Sequence, residues 1–121
     1  MSKLTLTKDE HEHIFKAFTR LSQSLNKLDA KELEKGNRPI IRELAIKFAV
    51  AKDSKLDEVD VILKRTHLRL LESYCIDITK RITESILPEY ERRGNKEEYI
   101  EASGKLKIML TNVLEKIQKC L

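Results

Sequence analysis

The chain has 121 residues, 40% of them hydrophobic and 36% charged, with a net charge of +4. That apolar content excludes a disordered tail, and three glycines with two prolines exclude a collagen-like fibre and disfavour a turn-rich β fold. No stretch approaches eighteen consecutive apolar residues, so neither a membrane span nor a membrane partner is expected.

Residues 1–6 read as a frayed lead-in. Thr7 stands three residues before Glu10, the spacing of a capping box in which hydroxyl and carboxylate each take up a free first-turn N–H. Ile14, Phe18, Leu21, Leu25 and Leu28 then recur at steps of four and three, which predicts a helix over about 8–33. Asp29 with Glu32 offers a cap for a separate short turn, and Gly36 stops the run. Asn37 and the early Pro39 open a second helix over about 38–52, with Ile41, Leu44, Phe48 and Ala51 on its stripe. Asp53 or Ser54 is the expected cap of a long third helix over about 55–87. Its stripe runs Val59, Leu63, Leu70, Tyr74, Ile78, Ile82 and Ile86, and Pro88 ends it. Asn95 with Glu98 caps a last helix over about 96–119, carrying Tyr99, Leu106, Leu110, Val113 and Ile117.

Amphipathic helices need neighbours to cover their apolar stripes. The sequence therefore predicts an all-α fold: one domain over residues 1–121, built as a bundle of four helices, or five if the Asp29 turn stands alone. A third helix longer than a small bundle needs points to association with a second copy or another protein.

The cysteines, Cys75 and Cys120, fit no disulfide framework or metal spacing. Reduced thiols in a cytoplasmic protein are expected, because residues 1–10 lack the apolar run of a signal peptide. Few Gln and Asn beside abundant Lys, Glu and Ile lean toward a thermophilic composition. No glycine-rich phosphate loop is present.

Asp9, Glu10, His11 and His13 are the residues of metal-ligand type that cluster. On a helix His11 and His13 point about 200° apart, so they cannot hold one ion together. An acidic first turn, favoured by the helix dipole, is the preferred reading, and no metal or other cofactor is expected. His67 falls on the apolar stripe, which predicts a buried imidazole bonded to Tyr74 or to an acidic residue. Helical ribonucleases of the HEPN type carry an arginine about five residues before a histidine. Val61 and Ile62 stand at those places ahead of His67, and no arginine precedes His11 or His13, so that activity is not expected.

Basic side chains pair at i, i+4 as Arg38 with Arg42 and Arg65 with Arg69, joined by Lys64, Lys80 and Arg81. Such pairs suit phosphates along a nucleic-acid backbone. Glu72, Asp77 and Glu84 lie among them, which also describes a charge-laced solvated face. The leading functional expectation is a non-enzymatic interaction module or a structural subunit of a larger assembly. A nucleic-acid-binding subunit is the alternative, and a metal-dependent helical enzyme the third reading.

Overall fold

The segment Ser2–Thr7 alternates leucine with polar residues, the two-residue period of a half-buried strand. The computed structural model describes residues 1–94 and 97–121; the expected cap at Asn95 and the side chain of Ser54 lie outside them. In chain order the elements are β1 (Ser2–Thr7), α1 (Lys8–Leu25), α2 (Ala30–Leu33), α3 (Arg38–Ala49), β2 (Lys52–Lys55), β3 (Glu58–Leu63) and α4 (Arg65–Arg81). A π-turn at Ile82–Ile86 joins α4 to α5 (Leu87–Arg93), and α6 (Glu97–Cys120) follows.

The strands form an antiparallel sheet in the order β1-β3-β2. This overturns the all-α bundle. The fold is mostly helical but contains a genuine three-stranded sheet, and the supposed lead-in is one of its edges. The expected helix over 55–87 does not exist in its first part: β3 occupies Glu58–Leu63, and Asp53 sits in β2 rather than at a helix cap. The cause is a shared spacing. Val59 and Leu63 are four residues apart, which suits one face of a helix and one face of a strand alike. Val61 between them decides, because only a strand brings all three to the same side.

The chain groups into two compact units: Met1–Leu70 with Cys120–Leu121, and Leu71–Lys119. In the first unit α1 packs on α3, and both touch the sheet. Leu4 and Leu6 lie opposite Val61 and Val59 on the buried face, with Ile14, Phe18, Leu44 and Phe48 completing the core. Burying each of these side chains is worth about 1.5–3 kcal/mol. The Thr7 hydroxyl accepts from Glu10 N–H, and the Glu10 carboxylate accepts from Thr7 N–H, so the capping box fixes the β1–α1 corner. Asp29 caps α2 through its carboxylate, leaving α2 a separate turn. Asn37 stands at the N-cap of α3 without a side-chain bond.

In the second unit the buried residues are Leu71, Cys75 and Ile82 on the joined helix and Leu110, Val113 and Ile117 on α6. The helix does not end before Pro88. Proline has no N–H, and its ring crowds the carbonyl four residues back. The wider turn just before it, closed by Leu87 N–H on the Ile82 carbonyl, lets the helix pass through. Gly94, at φ +63°, then ends α5 in the left-handed conformation that glycine adopts at little cost. No described helix is long and apolar enough to cross a membrane.

Candidate functional site: a lysine-rimmed groove

Alternation along a strand sends every second side chain to the face away from the core. On β1 and β3 that face carries Lys3 opposite Ile62 and Thr5 opposite Asp60. On β2 it brings Lys52 opposite Asp60. The last turn of α3 adds Lys47, and the segment leading into β2 adds Val50 and Ala51. All of these except Thr5 line a groove of about 360 Å³, within the first unit. That volume is at the small end for a ligand site.

The floor is apolar and open. Val50 is 64% exposed and Ile62 45%. The rim is basic, and none of the ion pairs found among the described residues uses Lys3, Lys47 or Lys52. The Asp60 carboxylate accepts the Thr5 hydroxyl at 2.6 Å, which fixes the one negative group of the lining. The groove thus offers three ammonium groups against one carboxylate around an apolar patch. The first unit as a whole has fifteen Lys and Arg against eleven Asp and Glu, and the second has nine of each, so the net +4 resides in the unit that bears the groove. No histidine, cysteine or hydroxyl side chain lines it.

The histidines are engaged elsewhere. His67 is fully buried. Lys64 N–H donates to its Nδ1 at 3.2 Å, and Nε2 lies 2.8 Å from Glu43 Oε2. A backbone N–H always donates, so Nδ1 is the acceptor and Nε2–H donates to the carboxylate. His67 is the third residue of α4 and reaches back to the residue before it, the part glutamate plays in a capping box. The His67 bond holds the Glu43 carboxyl below its ordinary range. His11 Nε2 donates to the Phe48 carbonyl at 2.8 Å, and its ring stacks on Phe48.

Glu10 is buried in the capping box, and Asp9 is exposed beside it. Burial, with Arg20 nearby, pushes the His13 imidazole below its ordinary value. Among the described residues no group of three or more His, Cys, Asp or Glu is placed to hold a metal ion. Tyr74 is half-buried in the second unit, and burial with Cys75 beside it raises its phenol above the ordinary value.

The basic residues marked by helical spacing do not gather in one place. Arg38 bonds the Glu32 carbonyl at 2.7 Å and its carboxylate at 3.2 Å. Arg42, Lys64, Arg65 and Arg69 are exposed in the first unit, whereas Lys80 and Arg81 belong to the second. Lys3, Lys47 and Lys52 were not marked by that spacing, because each lies on a different element. The readable signal was the alternation of Lys3-Leu4-Thr5-Leu6-Thr7 and Val59-Asp60-Val61. Compared with known proteins, the chain matches no family model, no curated protein and no solved structure.

Proposed function

We propose that the chain is a non-enzymatic interaction module that holds a partner protein in the groove between Lys3, Lys47 and Lys52. The observation that carries this reading is the pairing of three ammonium groups that enter no ion pair found among the described residues with an exposed apolar floor at Val50 and Ile62. Protein interfaces combine an apolar centre with a charged rim in this way. The residues best suited to catalysis support the same reading, since both ring nitrogens of His67 are occupied and His11 is tied to a backbone carbonyl. Two free thiols, one of them buried, suit a reducing cytoplasmic setting.

A nucleic-acid surface is the competing reading. It is weakened by the pairing of Arg38 with Glu32 and by a groove with neither arginine nor aromatic ring. The deciding experiment places a photo-crosslinking residue at Ile62 and, as a control, at exposed Leu56. A discrete adduct at Ile62 alone, sensitive to protease but not to nuclease, is expected. Its yield should drop about tenfold when Lys47→Glu and Lys52→Glu are combined. A nuclease-sensitive adduct, or none specific to Ile62, refutes the proposal.

A further inference from the structure

We infer that the occupant of this groove is an acidic protein segment carrying one large apolar side chain, an inference that rests on the interaction-module reading above. Lys3 and Lys52 sit on the strands flanking β3, and their partners on β3, Ile62 and Asp60, are two residues apart. Strand spacing and rise therefore separate the two lysine Cα atoms by about 12 Å. Residues three or four apart in an extended chain span about 10–13 Å, so two carboxylates at that interval reach both lysines. The same groove is lined by the apolar Val50, Ala51 and Ile62, which take the apolar side chain. Lys47, on α3, adds a third contact from the wall.

Asp60 selects against an evenly charged polymer. It stands opposite Lys52 and is held there by Thr5, so a phosphodiester backbone crossing the groove meets a fixed negative charge. A peptide with an apolar residue at that place sets no like charge against it. Three separate ammonium groups also suit single carboxylates, whereas arginine is the residue that grips phosphate bidentately.

The test is fluorescence anisotropy on the full chain with a short fluorescein-labelled peptide of glutamates flanking one leucine. Saturable binding that weakens with added salt is expected. Replacing the leucine by serine should weaken it about tenfold or more. Lys52→Glu should weaken it about threefold to tenfold, and Ile62→Ser should erase the advantage of the leucine peptide over the serine peptide. All these positions are exposed, and circular dichroism checks that the variants fold. Equal binding of the serine peptide, tighter binding of a single-stranded RNA oligonucleotide, or no saturable binding at low salt overturns the inference. A protein adduct at Ile62 with no peptide binding overturns this inference alone. Loss of the Ile62 adduct removes the reading beneath it.

Discussion

Glu43 and His67 meet across two helices, with the histidine Nε2 2.8 Å from the glutamate carboxylate, one partner fully buried and the other at the surface. The bond ties α3 to the start of α4, where the same imidazole accepts Lys64 N–H. His67→Ala removes both bonds and leaves a cavity, so a loss of about 2–4 kcal/mol is expected in urea unfolding. His67→Gln retains an amide able to accept the Lys64 N–H and should recover part of that loss. A cost of His67→Ala below about 0.5 kcal/mol, the range of ordinary surface substitutions, would show that this junction contributes nothing to stability.

The same pair has a pH signature. The Glu43 carboxyl lies below its ordinary 4.5, chiefly through the His67 hydrogen bond and with help from Lys64 and Lys47, against an opposing effect of burial. A depressed carboxyl contributes stability that is complete above the unfolded value and is lost as pH falls through the folded value. Wild type should therefore exceed Glu43→Gln in stability at about pH 7, and the gap should close below pH 4.5. Glu12 and Glu32 are also depressed, but they titrate alike in both proteins and cancel in the difference. A gap that stays constant through the acid range is the contrary outcome.

Local physics was legible in the chain, and non-local physics was not. The Thr7–Glu10 box and the Asp29–Glu32 cap join residues three apart, so their spacing reveals them. The Ile14–Phe18 stripe lies within one helix and is equally readable. The sheet pairs β1 with β3 across 55 residues, as Thr5 and Asp60 illustrate, and no local rule joins such segments. Pro88 misled for a different reason: its usual effect as a helix breaker is absorbed by the wider turn before it. The groove shares the sheet's difficulty, because its lysines come from β1, α3 and β2. Histidines draw attention by residue type, but their bonding partners, which decide whether they are available, appear only in the fold.

The edge strand makes a stability prediction that a helical bundle with a frayed lead-in would not. Leu6 is fully buried opposite Val59, whereas Leu56, in the β2–β3 turn, is 85% exposed. Leu6→Ala should cost about 2–5 kcal/mol. Leu56→Ala should stay within about 0.5 kcal/mol of wild type. Urea midpoints of the two variants settle the matter. Equal, small losses would mean that β1 does not belong to the core.

Two glycines separate backbone strain from space. A Cβ added at Gly94 or at Gly104 meets no atom within 4 Å, so crowding distinguishes neither. Their backbones differ. Gly94 sits at φ +63° at the end of α5, while Gly104 lies within α6 with no positive φ. Gly94→Ala forces an L-residue into the left-handed region and should destabilise by about 1–2 kcal/mol. Gly104→Ala removes unfolded-state freedom at a helical position and should stabilise by about 0.5–1 kcal/mol. Opposite shifts in the denaturation midpoint are thus expected from one chemical change. Shifts of the same sign would contradict the assignment of Gly94 as the stop and Gly104 as an interior residue of its helix.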